Sequence, residues 1–182
     1  TRRGSKRLIA IDLPRTAKSG HWAASTPNAI ATELLEFLSV RGAQRFELFG
    51  HSFGGLVSLQ LASMAPERIK RITVASAPAF GLPSELKLLL ASPVADVGMK
   101  LFSKLPVSRT AMVTYLKLIW GSARPSPELL DMYEEVMRTP GFNEGFLEAA
   151  RAIGDFVLPV EALKALPVRK LALWGEKDPL VP

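Results

Sequence analysis

The sequence predicts an α/β fold: a mostly parallel sheet with flanking helices, interrupted by one helical insertion. Three observations carry this. Short apolar runs alternate with amphipathic helical stretches in the first half of the chain. A Gly-x-Ser-x-Gly turn joins one such run directly to a helix. From about Leu82 to Pro159 the pattern becomes apolar helices separated by Pro and Gly, and a single strand pattern returns after it.

The elements follow in order. Arg7-Leu8-Ile9-Ala10-Ile11 is a continuous apolar run closed by Asp12-Leu13-Pro14, the pattern of a parallel strand buried on both faces. Thr26-Pro27 supplies an N-cap and a first-turn proline, and Ile30, Leu34, Leu35 and Leu38 form the apolar stripe of the helix that starts there. Arg45–Phe49 reads as a short buried strand, residues 55–64 as a helix stopped at Ala65-Pro66, and Ile72–Ala75 as a third strand. Strands and helices in this alternation argue for a parallel sheet. Helices are expected near 84–91, 93–104, 109–120, 127–138 and 142–153, with Ser126-Pro127 as a start signal and Thr139-Pro140-Gly141 as a break. Lys170–Trp174 is the last strand.

Gly50-His51-Ser52-Phe53-Gly54 carries the chemistry. A serine on a sharp strand-to-helix turn is held in a strained backbone conformation and stands exposed at the rim of a sheet, which is the nucleophile elbow. Small residues two before and two after the serine, Gly50 and Gly54, let strand and helix approach closely. The other reading of Ser52 is a helix N-cap, a common use of serine. His51 is read as a packing residue of the turn, directed away from Ser52.

Composition bounds the rest. At 182 residues, 48% hydrophobic and 22% charged, the chain suits one globular domain with a real core. No apolar run approaches the roughly 18–20 residues of a membrane span, and no secretory signal is seen, so a cytoplasmic location is the default expectation. The absence of cysteine excludes a thiolate nucleophile, a disulfide framework and a Cys-based metal site. The net charge of +6 comes from scattered residues such as Arg45, Lys70, Lys87 and Lys117, without interleaved aromatics, so solvated helix faces explain it better than nucleic acid.

Four stretches together resemble the α/β-hydrolases of the cap-containing esterase and hydrolase group. Leu8–Ser19 is similar to that family's strand and "DLPG-x-G-x-S" loop, although Arg15-Thr16-Ala17 stands where Gly-x-Gly is usual. Gly50–Gly55 resembles the elbow, Ala65-Pro66-Glu67-Arg68-Ile69 onward the "hPERV…LVLV" link, and Leu171–Pro182 the "WG-x-x-D-x-x-VP" strand and acid loop. The resemblance implies an α/β-hydrolase core over residues 1–81 and 160–182 and a helical cap over 82–159.

It also implies roles. Ser52 would be the nucleophile, Phe53 would give one oxyanion N–H, and Asp178 would be the acid that orients a histidine base. Asp178 can also be read as a turn or cap residue. Only His21 and His51 are present, and the family's base lies beyond the acid, so these residues are expected to be the middle of a longer hydrolase; His21 is read as a loop histidine. Leu88, Leu89, Leu90, Val94, Val97, Met99, Leu101, Phe102, Met112, Tyr115, Leu116, Ile119 and Trp120 make the insertion apolar enough to face an acyl pocket, with most of them expected to pack the cap against the core.

The expected function is serine hydrolysis of a small carboxylic ester or similar acyl substrate through an acyl-enzyme, with no cofactor and no metal. Acyl transfer or C–C bond hydrolysis on the same machinery is the second enzymic reading. A non-catalytic ligand-binding or signalling protein on the hydrolase scaffold is the reading from another class.

Overall fold

A computed structural model of the chain describes residues 7–13, 19, 26–82, 84–102, 109–120, 125–139, 141–178 and 181. The predicted loop at Arg15-Thr16-Ala17 and the side chains of Met99, Phe102, Tyr115, Ile119 and Trp120 lie outside the described residues.

Helix α1 spans Pro27–Val40 and starts as the sequence indicates: the Thr26 hydroxyl accepts from the Ala29 N–H at 3.2 Å, and Pro27 occupies the first turn. Strand β1 is Phe46–His51, helix α2 Phe53–Met64, and strand β2 Ile69–Ala75, with a single 3₁₀ turn at Pro66–Arg68 between the last two. Five helices follow: α3 (Ser84–Ala91), α4 (Pro93–Phe102), α5 (Arg109–Trp120), α6 (Pro127–Met137) and α7 (Phe142–Asp155). The short helix α8, Val160–Ala165, was not foreseen, and it precedes strand β3 at Arg169–Leu173. Its six residues are flanked by prolines at 159 and 167 and are too short for a helical period to be legible.

The sheet has strand order β1-β2-β3, and both pairings are parallel, so all three carboxyl ends lie along one edge. Helix α2 packs on β1 and β2 and α1 packs on α2, burying Ile30, Leu34, Leu56, Leu61, Ile69 and Ile72 in one core. Burial of such aliphatic side chains is worth about 1.5–3 kcal/mol each before chain entropy is subtracted.

Three expectations are corrected. Residues 7–11 form no strand: Ile9, Ile11 and Leu13 pack against the core by their side chains, but among the described residues no strand pairs with the segment, so it has no ladder. Nor is β1 buried on both sides. Its burial alternates along the strand and Phe49 is 70% exposed, because α2 covers one face and, among the described residues, nothing covers the other. In the insertion, Leu88, Leu89, Val94, Val97 and Leu101 are exposed and only Met112 and Leu116 are fully buried, so most of the described members of that set do not pack a core. Helices α3 and α4 meet α7 through Lys87 to Asp155, through Arg151 Nε to the Leu90 carbonyl and through the Arg151–Asp96 pair, and among the described residues nothing covers the stripe Val94–Val97–Leu101.

Candidate active site

Ser52 lies between the end of β1 and the start of α2. Its φ of 50° and ψ of −125° are unusual for a residue with a Cβ. Its N–H continues the ladder to the Ala75 carbonyl at 2.9 Å, and its own carbonyl accepts from the Gly55 N–H at 2.8 Å, so the turn is pinned on both sides. The Ser52 side chain makes no capping hydrogen bond to α2, which removes the helix-cap reading. The hydroxyl is instead left at the carboxyl edge of the sheet beside the first turn of α2. There the Phe53 N–H is one of the donors that an α-helix leaves without an internal acceptor, and the helix dipole is positive.

The glycines that allow the turn are not quite those predicted. A Cβ on Gly50 would stand 2.3 Å from the Gly54 carbonyl oxygen and 2.5 Å from Ser58 Oγ, so Gly50 is required. A Cβ on Gly54 would meet only Leu13 Cδ1, at 3.9 Å, an ordinary contact. The close approach falls one residue later, at Gly55, where a Cβ would lie 2.6 Å from Ala77 Cβ. The helix–strand contact that demands a missing side chain is thus made by α2 against the segment after β2, and the motif's second glycine does not make it.

Asp178 follows β3, and since β1, β2 and β3 run parallel, it leaves the sheet at the same edge as Ser52. It is partly buried. Its carboxylate Oδ1 accepts from the Val181 N–H at 2.9 Å, its N–H donates to the Gly175 carbonyl at 3.2 Å, and the Trp174 indole N–H donates to the Val181 carbonyl at 2.8 Å. Asp178 therefore organises its own loop, as its turn reading requires, and the indole closes that loop from the other side.

His51 is the last residue of β1 and is exposed, so it does not pack the turn as expected; on this edge strand its alternation places it on the open side. His21 lies outside the described residues. Displaced pKa values among the described residues fall in the helical insertion: Glu128 is lowered by hydrogen bonds to the backbone and to Ser126 at the start of α6, Tyr133 is raised by burial, and Arg151 is raised by its hydrogen bonds to Asp96. None of the helices described is long and apolar enough to cross a membrane. Sequence reasoning passed over Ser76, which follows β2 at the same edge and also has a positive φ, of 41°. No motif marks it.

A family model for the alpha/beta hydrolase fold matches residues 3–182. The chain is similar to the pimeloyl-[acyl-carrier protein] methyl ester esterase of Klebsiella pneumoniae strain 342, at 29% identity over 176 residues covering 96% of this chain and 66% of that protein. It is also similar to a 2-hydroxy-6-oxononadienedioate/2-hydroxy-6-oxononatrienedioate hydrolase of a Pseudomonas species, at 24% identity covering 97% of this chain and 62% of that protein. Among solved structures, a thermophilic esterase from Thermogutta terrifontis superposes with a TM-score of 0.71 at 22% identity, covering 94% of this chain and 62% of the other. The chain spans at most 66% of the length of these three proteins. With a parallel sheet, a serine on a positive-φ strand-to-helix turn and a match along nearly its whole length, the chain belongs to the alpha/beta hydrolase fold family.

Proposed function

We propose that this chain carries the nucleophile and the acid of a serine hydrolase that cleaves a carboxylic ester through an acyl-enzyme. The observation that carries the reading is Ser52: a serine held at φ 50° whose hydroxyl is not spent on capping the helix behind it. Strain of about 1–3 kcal/mol at a non-glycine residue persists where the surroundings impose it, and such positions cluster at reacting groups.

In the proposed reaction Ser52 Oγ attacks the ester carbonyl carbon while a histidine base takes the hydroxyl proton. The carbonyl oxygen, now an anion, accepts from the Phe53 N–H at the positive end of α2. The tetrahedral intermediate collapses by breaking the bond to the alkoxy group, which leaves as the alcohol with the proton from the base. Water then repeats the attack on the acyl-enzyme and frees the acid. Asp178, which leaves the sheet at the same edge as Ser52, is assigned to orient the base. The reading takes the base from outside these 182 residues: His51 is exposed and directly precedes Ser52 in the strand, and the relatives are longer than this chain.

The C–C bond hydrolase similar to this chain at 24% identity favours a second reading, in which the same serine attacks a ketone carbonyl and the leaving group is a carbon acid. The first reading is tested by labelling with a fluorophosphonate and by turnover of p-nitrophenyl esters. The 182-residue chain is expected to label slowly and to turn over poorly, and a longer protein containing it is expected to do both through Ser52. Ser52→Ala should abolish labelling in either. Labelling that survives Ser52→Ala refutes the nucleophile assignment, and ordinary enzymic turnover by the chain that stops in His21→Ala makes His21 the base.

A further inference from the structure

Among the described residues, Ser52 and Ser76 are the two non-glycine residues with positive φ, at 50° and 41°. They are neighbours in the sheet. The β1–β2 register puts His51 opposite Ala75, so Ser52 and Ser76 leave the ladder side by side at the carboxyl edge. The Ser52 N–H donates to the Ala75 carbonyl at 2.9 Å, and the Ser76 N–H donates to the Leu173 carbonyl at 3.0 Å. Ser76 therefore sits on the central strand, between the strand that ends in Ser52 and the strand whose exit loop carries Asp178.

The backbone at Ser76 has a structural reason. Its turn brings Ala77, which is 1% exposed, against Gly55, where no side chain could fit. That reason asks only for a left-handed residue, and glycine adopts such a conformation without steric cost. Serine accepts the cost, and what it adds over glycine is a hydroxyl. Ser76 is partly buried, and among the described residues its hydroxyl has no hydrogen-bond partner. A half-buried hydroxyl, one donor and two acceptor lone pairs, is thus held free at the edge where the reacting serine stands.

We propose that Ser76 is a substrate-binding residue of the Ser52 site, its hydroxyl donating to an oxygen of the bound acyl compound; this rests on the reading of Ser52 as the nucleophile. The bound compound is then one with an accepting oxygen beside the scissile carbonyl or on it, and Ser76 contributes to how tightly it is held more than to the rate at which it reacts.

The chain has no cysteine, which makes a direct test clean. The Ser52→Cys/Ser76→Cys double variant is treated with dibromobimane, which fluoresces strongly once both of its arms are alkylated. A fluorescent cross-link in the double variant and none in either single variant is expected; two separate monoadducts by mass, in a protein with unchanged far-UV circular dichroism, overturn the proposal. A second arm needs no chemistry at Ser52. In Ser52→Ala/Ser76→Cys, methyl hexanoate should slow iodoacetamide alkylation of the cysteine severalfold, and an unchanged rate overturns the proposal. In a longer protein containing the chain, with Ser52 intact, acylation by p-nitrophenyl butyrate should show a half-saturating concentration raised roughly fivefold by Ser76→Gly and by Ser76→Ala, with the limiting rate little changed and Ser76→Thr close to the parent. Variants that shift the melting temperature and leave that concentration alone reduce Ser76 to a turn residue and overturn the proposal. If methyl hexanoate protects the Ser52→Ala/Ser76→Cys variant but a longer protein containing the chain is never acylated at Ser52, the nucleophile reading is refuted and substrate binding at Ser76 is upheld.

Discussion

Alanine in place of each glycine around the elbow separates steric need from motif membership, because the three positions meet different atoms. In Gly55→Ala the new methyl would lie 2.6 Å from Ala77 Cβ, where carbon atoms in contact sit about 3.5–4.0 Å apart, an overlap of about 1 Å. Both sides are buried, and Ala77 is fixed to the backbone leaving β2, so neither can swing aside. Overpacking of this kind costs typically about 1–3 kcal/mol, and a rigid backbone neighbour puts the expected cost near 3. At roughly 2–4 °C per kcal/mol for a domain of this size, the melting temperature should fall by about 6–12 °C. Gly54→Ala meets only Leu13 Cδ1 at 3.9 Å and replaces the poorer helix former near the start of α2, so it should be neutral or gain up to about 0.5–1 kcal/mol.

The assay is thermal and urea unfolding of the parent, Gly54→Ala and Gly55→Ala, with Ala77→Gly and the double variant Gly55→Ala/Ala77→Gly added. Removing the Ala77 methyl takes away the colliding atom, so part of the loss should return as a coupling energy of about 1–2 kcal/mol. If Gly54→Ala loses as much as Gly55→Ala, or if Ala77→Gly adds its own cost without rescue, the close approach is not where the structure puts it.

Other outcomes follow from polar contacts. Arg68 donates to the carbonyls of Leu35, Ala43 and Gln44 and to Ser39 Oγ and stacks 5.3 Å from the Phe46 ring, tying the end of α1 to the start of β1; Arg68→Ala should cost about 2–3 kcal/mol by urea unfolding, and Arg68→Lys should recover little of it because an ammonium lacks the planar fork. The Arg151–Asp96 pair is bidentate at 3.1 and 3.0 Å but partly exposed, so a double-mutant cycle should give no more than about 1 kcal/mol, declining in high salt. Glu128 is held below the usual glutamate range by hydrogen bonds at the start of α6, so its support of that helix is fully present above its unfolded pKa and is lost as pH falls through the lowered folded value; a carboxyl carbon titration by NMR should find a midpoint below that of an unfolded peptide, and a midpoint equal to it refutes the contact.

What was legible in the sequence follows from how local each signal is. Thr26-Pro27 and Ser126-Pro127 announce helices because capping and the proline ring act within one turn, and both caps form. The Ser52 turn is equally local. The failures are questions about neighbours. An apolar run such as Leu8–Ile11 is suited to a strand, but a strand exists only where another chain segment completes its hydrogen bonds, and among the described residues no strand pairs with it. Likewise, Leu88, Val94 and Val97 have the composition of core residues, but whether they are covered depends on which helices meet, and here α3 and α4 meet α7 through Lys87–Asp155 and Arg151–Asp96, residues 55 or more positions apart. A pairing at that separation leaves no periodic trace.

The same distinction explains why the Ser52 turn was readable and its neighbours across the sheet were not. Ser52, Phe53 and Gly50 are bound into one five-residue turn, so the constraint on each is written beside the others. Ser76 and Gly55 come near Ser52 only through the sheet: Gly55 because Ala77 lies against it, and Ser76 because the parallel register carries it to the edge next to Ser52. Nothing in the residues flanking Ser76 distinguishes it from a loop serine. Its positive φ becomes evident only when the strand on each side is in place, and that backbone angle, together with a hydroxyl that has no partner among the described residues, sets it apart from a serine that merely ends a strand.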